Sequence, residues 1–393
     1  MPVTDRVTKQ QCCGCSACSA VCPQQCIEMK EDELGFLHPF IDSTSCIGCS
    51  LCEKTCPCLQ SEKASVEPEL LFAAKIKDNS KLTQSTSGGV FTFLAEKVLK
   101  EQGVVCAARF ESPTHLIHDF CTRIEDLDAY KGSKYLQSDM RNCYLETKRL
   151  LSEGRKVLFV GTSCQIMGLK LFLRKPYPNL IAMEIVCHGV PSPFVWRKYL
   201  SELCNRKHVD ISQINSIEFR NKDKSWREYS LKIEANGKVI HRKSLRKDPF
   251  LKAFLRDLML RASCDDCHAK NFKSNSDIIA GDFWGVDNFH QSIDDDRGVS
   301  CLILQNADLL PLFEDAAIEL TPTKLEYILR GNPSVRLSSK SNPDKEKYLQ
   351  AILKNDFIQT TKPFVKNTFR QNYKYNLNRC KKLVKKLIGV LKK

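Results

Sequence analysis

The chain has 393 residues, of which 60 are Lys or Arg, 46 are Asp or Glu and 21 are Cys. Its length predicts two or three domains, and its 42% of hydrophobic residues is ordinary for a globular protein. From Phe357 onward there are 11 basic residues and no acidic one, which leaves 49 basic against 46 acidic residues in the rest. This near balance argues against a general nucleic-acid-binding surface, so we expect no nucleic acid as a partner.

The cysteine content and the N-terminal residues together indicate the cellular compartment of the protein. Disulfide-dense chains are usually small, secreted and preceded by a signal peptide. This chain begins MPVTDRVTKQQCCGC, without an apolar signal-type run, and no stretch reaches the roughly 20 apolar residues of a membrane-spanning helix. We therefore expect a cytoplasmic protein whose cysteines are buried thiols or metal ligands.

Residues 1–60 contain two similar cysteine runs, each matching C-x-x-C-x-x-C-x-x-x-C-P. In this spacing three thiolates wrap one face of a 4Fe–4S cubane, and the fourth reaches the neighbouring cluster. The pattern predicts two clusters with crossed ligation. Cluster 1 takes Cys12, Cys15, Cys18 and Cys56, and cluster 2 takes Cys46, Cys49, Cys52 and Cys22.

A zinc ribbon is the alternative interpretation of these runs. Zinc needs four ligands from two C-x-x-C pairs, which leaves the third cysteine of each run and both Cys-Pro ends unexplained. The iron–sulfur interpretation is therefore favoured. Cys13, Cys26 and Cys58 fall outside the pattern, and we interpret them as packing thiols.

After a polar linker at 61–70, the chain alternates between strand-like and helix-like segments. Strands are predicted at Leu71–Ile76, 104–108, 156–160 and 180–186, with a helix over Val90–Gln102 and another over 250–262. Alternation around 216–243 predicts an antiparallel pair that turns at Asn236-Gly237. We expect an α+β ferredoxin module followed by an α/β domain with a mixed sheet.

Four later cysteines lie in turn-like contexts, at or near strand ends, where α/β sheets collect ligands. These are Cys164, Cys187, Cys264 and Cys267. Together they are candidates for a third 4Fe–4S cluster. Taken singly, Cys164 and Cys187 are more typical of packing thiols, and Cys264-x-x-Cys267 fits a zinc half-site or a redox pair equally well.

An ordered set of short segments over roughly 75–290 resembles the coenzyme F-420 hydrogenase/dehydrogenase beta-subunit family, which includes hydroxymethyl-chlorophyll reductases. The segments are Ser87-Gly-Gly-Val-Phe, Gly132-Ser-Lys-Tyr, Val160-Gly-Thr-Ser-Cys-Gln, Cys187-His-Gly-Val-Pro-Ser, Phe219-Arg-Asn-Lys, Cys264-x-x-Cys267 and Ile279-Ala-Gly-Asp-Phe-Trp-Gly. The resemblance implies FAD bound beside a 4Fe–4S cluster, and it strengthens the third-cluster hypothesis. The family usually has Thr-Pro-Cys where this chain has Thr162-Ser163-Cys164, and we expect the missing proline to loosen that turn.

A flavin needs donors for its phosphates and a flat slot for its ring. Ser87, Gly88 and Gly89 precede a helix and are candidates for the phosphates, although Ser-Gly-Gly is also an ordinary turn. Lys134, Tyr135 and His188 are further candidates, each with an equally ordinary structural alternative. No G-x-G-x-x-G follows a strand, so a nicotinamide site is not indicated.

The sequence predicts an oxidoreductase that passes electrons from ferredoxin-type clusters through FAD to a small-molecule substrate. The family resemblance suggests cell-surface polysaccharide synthesis. The expected donor is ferredoxin or a reduced deazaflavin. The alternatives are an electron-transfer subunit of a larger hydrogenase, dehydrogenase or reductase complex, without its own substrate site, and a redox sensor.

We predict a cluster domain at 1–60, the 61–70 linker, and a family-like domain at 71–340 with parts at about 71–150 and 151–340. A basic C-terminal extension follows at 341–393. Within it, residues 375–393 place apolar side chains on one side of a helix and lysines on the other. This pattern suits an anionic membrane surface, so the protein is predicted to lie peripherally on the inner face of the membrane. Docking on an acidic partner and packing against the core are the alternatives.

Overall fold

The computed structural model describes residues 2–60 and 67–366. Within these ranges the strands are β1 (Ile27–Glu31), β2 (Leu37–Ile41), β3 (Leu70–Ile76), β4 (Val104–Ser112), β5 (His115–Cys121), β6 (Val157–Thr162), β7 (Leu180–Ile185), β8 (Ile214–Asn221), β9 (Ser230–Ala235), β10 (Lys238–Ser244), β11 (Ile278–Asp282), β12 (Ser300–Leu304) and β13 (Ile318–Pro322). The α-helices there are α1 (Ala17–Val21), α2 (Leu51–Lys54), α3 (Asn79–Gln84), α4 (Val90–Lys100), α5 (Cys143–Ser152), α6 (Ser163–Leu173), α7 (Pro193–Lys207), α8 (Pro249–Phe254), α9 (Leu325–Gly331), α10 (Lys345–Lys354) and α11 (Phe357–Phe364).

The two cysteine runs repeat one backbone conformation. In each run the glycine, Gly14 or Gly48, has a φ of +67°. The serine two residues later, Ser16 or Ser50, also has a left-handed backbone conformation. A short helix follows each run, α1 or α2. The strands β1 and β2 pair antiparallel beside them, with Ile27 opposite Ile41. The sequence repeat is therefore a structural repeat of the ferredoxin type.

An eight-stranded mixed sheet forms the centre of the second part, in the order β13-β3-β12-β11-β7-β6-β4-β5. The neighbours β4, β6, β7 and β11 run parallel, and the flanking pairs are antiparallel. The expected α/β architecture with a mixed sheet is confirmed.

Both faces of the central strands are covered. In β6, Leu158 and Val160 face the core that contains α4, whereas Val157 and Phe159 face the core that contains α5 and α6. A strand buried on both faces has a continuous apolar sequence, which explains the Val-Leu-Phe-Val run. The carboxyl ends of the parallel strands are left to carry polar and thiol side chains.

A second sheet has the order β10-β9-β8 and is antiparallel. The predicted turn at Asn236-Gly237 is confirmed, since both residues have positive φ, as a tight hairpin turn requires. The segment holds three strands rather than the expected pair. The helix predicted over 250–262 was too long, because α8 ends at Phe254 and Asp257 takes a left-handed φ of 58°.

The helices α10 and α11 pack into the core that also contains α7 and α8. Tyr348, Ile352 and Phe357 are fully buried there, so packing continues across residue 340. The predicted amphipathic helix at 375–393 lies outside the described residues. Within residues 2–60 and 67–366, no helix is long and apolar enough to cross a membrane.

Candidate iron–sulfur sites and cofactor cavity

The four cysteines predicted for cluster 2 line one small cavity in the ferredoxin module. They are Cys22, Cys46, Cys49 and Cys52, and Cys26 joins them in the wall. The sulfur atoms of Cys22 and Cys26 lie 3.4 Å apart. Cys49 is exposed, and a Cβ on Gly48 would have no neighbour within 4 Å. This site therefore opens to the protein surface.

The cysteines predicted for cluster 1 are more deeply buried. A contact with the Cys13 thiol lowers the pKa of Cys15, but burial and the neighbouring Cys18 and Cys56 thiols raise it to about 11. Burial first, and then the Cys12 thiol, raise the pKa of Cys18. Cys56, from the second run, thus lies beside cysteines of the first run, as crossed ligation requires. The ligand assignment itself stays a prediction.

The four later cysteines, called the third cysteine set, come from separate elements but line one cavity: Cys164, Cys187, Cys264 and Cys267. Cys164 lies in the first turn of α6, directly after β6, and Cys187 follows β7. Cys264 ends a short 3-10 helix. Because β6 and β7 are parallel neighbours, their carboxyl ends bring the first two thiols to the same sheet edge.

The thiols of the third cysteine set lie close enough to raise one another's pKa by electrostatic repulsion. Burial first, and then the Cys187 thiol, raise the pKa of Cys264. Burial and the Cys164 thiol raise the pKa of Cys267 to about 12. A metal centre needs deprotonated cysteines, and its positive charge removes this repulsion. The donor set therefore fits a thiolate-bound cluster.

Within residues 2–60 and 67–366, no group of three His, Cys, Asp or Glu side chains is arranged to hold a single metal ion. A cubane is larger than one ion, so its thiolate ligands lie farther apart.

Cys13 and Cys58 of the ferredoxin module also line the cavity of the third cysteine set. Contacts with the Cys15 and Cys58 thiols and burial raise the pKa of Cys13, whereas a contact with the Cys164 thiol lowers it. Cys13 thus lies between a predicted cluster 1 ligand and a member of the third cysteine set. The two candidate centres are therefore near neighbours across the junction of the two parts.

The turn before Cys164 is held without a proline. Thr162 caps α6 in a capping box with Gln165, whose Oε1 accepts a hydrogen bond from the Thr162 N–H at 2.9 Å. Ser163 Oγ donates to the buried Glu184 at 2.6 Å. Both contacts restrain the turn that we expected to be loose, and they fix the direction of the Cys164 thiol.

A much larger cavity, called the main cavity, lies at the carboxyl ends of the parallel strands. Its volume is about 550 Å³, within the range of small-molecule sites. Five of the six flavin candidates line it: Ser87, Gly89, Lys134, Tyr135 and His188. It shares Thr162, Cys187, His188, Gly189 and Val190 with the cavity of the third cysteine set. The cofactor-sized space and the third cysteine set are therefore directly adjacent.

Gly88, the sixth flavin candidate, is packed between strands. Its N–H donates to Ser300 Oγ at 2.9 Å, and a Cβ there would lie 2.1 Å from the Ala74 carbonyl oxygen. A glycine is required by this close approach. Gly89 next to it has a φ of +84° and precedes α4, at the main cavity. Ser87 and Gly89 are therefore the better placed candidates.

Lys134 and Tyr135 lie on one loop at the wall of the main cavity. The Lys134 ammonium donates to the backbone oxygens of Tyr130, Lys131 and Gly132 at 2.9–3.2 Å. Burial lowers its pKa to about 7. An anion in the cavity would hold this lysine in its charged form. The Tyr135 ring stacks on Phe254 with centroids 4.5 Å apart, which makes a flat aromatic wall.

His188 lies where the two cavities meet. Its Nε2 is 2.6 Å from Asp257 Oδ1, and its ring meets Phe254 edge-on at 5.3 Å. A carboxylate on one ring nitrogen fixes the orientation of the imidazole. His188 is thereby held in place between the main cavity and the third cysteine set.

Sequence reasoning missed two buried cations at these sites. Lys270 is 7% exposed and donates to the carbonyl oxygens of Cys187 and Ser334. Arg261 is 1% exposed and contacts the first cysteine run. Neither residue belongs to a recognisable sequence motif. Their positions in the sequence, three residues from Cys267 and Cys264 respectively, were the one feature that could have indicated a role at these sites.

Two family models match separate parts of the chain. Residues 11–59 match the family model of the 4Fe–4S dicluster domain, and residues 154–325 match that of the C terminus of the coenzyme F420 hydrogenase/dehydrogenase beta subunit. A solved structure titled as the xenon-derivatised F420-reducing [NiFe] hydrogenase complex from Methanosarcina barkeri is similar at 16% identity. That match covers 77% of this chain and 94% of the other, with a TM-score of 0.45. No curated protein matches the chain.

The two matched regions do not overlap, and each contains cysteines grouped in the structure. Residues 11–59 are therefore similar to a 4Fe–4S dicluster domain, and residues 154–325 are similar to the C terminus of the coenzyme F420 hydrogenase/dehydrogenase beta subunit.

Proposed function

We propose that the chain is an iron–sulfur flavoprotein oxidoreductase, in which electrons pass from the ferredoxin module to FAD and then to a small molecule. The observation that carries this proposal is the shared wall formed by Thr162, Cys187, His188, Gly189 and Val190. One side of this wall faces the third cysteine set, and the other faces the main cavity.

In this proposal Cys164, Cys187, Cys264 and Cys267 hold a third 4Fe–4S cluster, and the main cavity holds FAD. Bound FAD would supply the conversion between one-electron and two-electron steps. Ser87, Gly89 and Lys134 would bind its phosphates, because a helix start and an ammonium group both favour anions. Tyr135 would provide a flat apolar surface for a ring.

In this proposal electrons enter the protein through the ferredoxin module. Cys49 is exposed, whereas Cys13 and Cys58 border the third cysteine set. Electrons from ferredoxin or a reduced deazaflavin would therefore enter at the surface and leave towards the main cavity. A role in cell-surface polysaccharide synthesis stays a prediction of the family resemblance.

Anaerobic reduction of the FAD-loaded protein tests the proposal. Reduced ferredoxin should bleach the flavin absorbance of the wild type. The double variant Cys264→Ala/Cys267→Ala should keep its FAD and its dicluster domain, but reduced ferredoxin should bleach its flavin absorbance much more slowly. Cys204→Ala, which removes a buried thiol that lines neither the main cavity nor the cavity of the third cysteine set, is the matched control. Equal rates in the double variant and the control would contradict the proposal.

The same preparation separates an enzyme from a relay subunit. An enzyme should turn over at least one acceptor, and the screen should include sugar derivatives. A relay subunit without its own substrate site should reduce only its partner protein.

A further inference from the structure

Arg261 is the largest charged side chain among those less than 2% exposed in the described residues. It lies three positions before Cys264, in the loop that leads into the third cysteine set. Its backbone N–H donates to the Val190 carbonyl oxygen at 2.9 Å. The backbone of Arg261 is therefore anchored in the second part of the chain.

The guanidinium reaches into the ferredoxin module. Nε lies 2.6 Å from the Cys12 carbonyl oxygen, and Nη2 lies 2.8 Å from that of Leu37. Nη1 donates to Gln137 Oε1 at 2.8 Å, while the Gln137 amide donates to the carbonyl oxygens of Cys13 and Gly14. Arg261 and Gln137 together hold the backbone of the first cysteine run.

The hydrogen-bond partners of this buried cation within the described residues are neutral oxygens and the His38 imidazole, which lies 3.2 Å from Nη2. Asp32 is one step farther, 3.1 Å from His38 Nε2. A buried charge without a direct counter-ion is costly. With cluster 1 bound, the thiolate of Cys12, whose backbone Arg261 holds, would be a negative group that offsets this charge.

We propose that Arg261 is a positioning residue for cluster 1, which fixes the Cys12 loop against the Cys264 loop and makes this centre easier to reduce than it would be without the charge. The physical reason is that reduction adds a negative charge at the site, and a buried guanidinium stabilises that charge strongly. The inference rests on the iron–sulfur part of the proposed function and is independent of FAD.

The test is an EPR-monitored redox titration of the full-length protein, purified anaerobically. Arg261→Gln removes the charge and keeps polar contacts, and Arg261→Lys keeps the charge. Arg197→Gln is the matched control, because Arg197 also bridges to the ferredoxin module but is only half-buried and is paired with Glu31 at 2.7 Å. Cys49→Ser identifies the signal of cluster 2.

Arg261→Gln should lower the reduction equilibrium constant of cluster 1 at least tenfold, which is 59 mV for one electron, and leave cluster 2 unchanged. Arg261→Lys should restore most of the difference, and Arg197→Gln should change neither centre. An unchanged potential in Arg261→Gln, an equal shift of both clusters, or an equal loss in Arg261→Lys would overturn the proposal.

Arg261→Gln protein that fails to retain iron leaves Arg261→Lys to decide. A cluster 1 potential near that of the wild type supports the role of the charge, and a tenfold loss refutes it. Failure of flavin reduction would bear on the proposed function alone, because the titration measures the clusters directly.

Discussion

The Nε atom of Arg261 lies 2.6 Å from the carbonyl oxygen of Cys12. One side chain thus links the first cysteine run to the loop that carries Cys264, although 249 positions separate the two residues. Cys13 and Cys58 lie at the same junction and face the third cysteine set. The ferredoxin module is therefore fixed with its buried site towards the second domain and its exposed site towards solvent.

The third cysteine set predicts the iron content. Protein purified anaerobically should contain about 12 Fe per chain, four for each cubane. Cys264→Ala/Cys267→Ala should contain about eight, because the dicluster domain keeps its own ligands. A wild-type iron content near eight Fe per chain would contradict the third cluster and remain consistent with the first two.

Crossed ligation predicts which centre a single substitution damages. Cys56 lies beside Cys15, so Cys56→Ser should disturb the cluster held by the first run. Mössbauer or EPR spectroscopy that resolves the two clusters measures this. Cys22→Ser is the reciprocal variant and should disturb the second-run cluster. Damage confined to the second-run cluster in Cys56→Ser would show uncrossed ligation.

Lys134 predicts the strength of flavin binding. Denatured wild-type protein should release FAD, and Lys134→Ala should bind FAD about tenfold more weakly, since roughly 1.4 kcal/mol of charge-assisted contact is lost. Lys131→Ala is the control on the same loop, because Lys131 pairs with Asp128 at 2.6 Å. Fluorescence titration of the flavin-free protein measures both affinities. No FAD bound to protein reconstituted with excess flavin would favour an iron–sulfur relay.

The burial of Phe357 predicts that the helices beyond residue 340 belong to the folded core. Its ring meets Tyr199 edge-on with centroids 5.0 Å apart. Phe357→Ala should lower the free energy of unfolding by about 3–5 kcal/mol. Phe40→Ala, at a ring that is 55% exposed, should change it by less than about 0.5 kcal/mol. Urea denaturation compares them, and similar stabilities would place the domain boundary near 340.

The basic tail predicts binding to anionic membranes. Each lysine near such a surface contributes about 1 kcal/mol, so binding should weaken as salt screens the charges. Vesicle flotation of the full chain should therefore depend on anionic lipid and on salt, and deletion of 375–393 should abolish it. Equal flotation with neutral and anionic vesicles, or with neither, would refute an electrostatic anchor.

The sequence by itself determined the iron–sulfur character of the N-terminal module. Two runs of C-x-x-C-x-x-C-x-x-x-C-P place their thiols within a few residues of one another and indicate cubane ligands, so they could be interpreted without a structure. The α/β character of the second domain followed in the same way from apolar runs of strand length, such as Val157–Val160. Cysteine spacing and short apolar runs thus predict the structure of the segments in which they occur.

Only the tertiary structure decided what lies next to what. The grouping of Cys164 with Cys187 depends on β6 and β7 being parallel neighbours, and no spacing in the sequence encodes strand order. The same holds for the packing of Gly88 against Ala74, which separates it from the main cavity, and for Arg261, whose partners are 249 and 224 positions away. Contacts between distant segments arise from the burial of both sheet faces, which is a property of the whole chain.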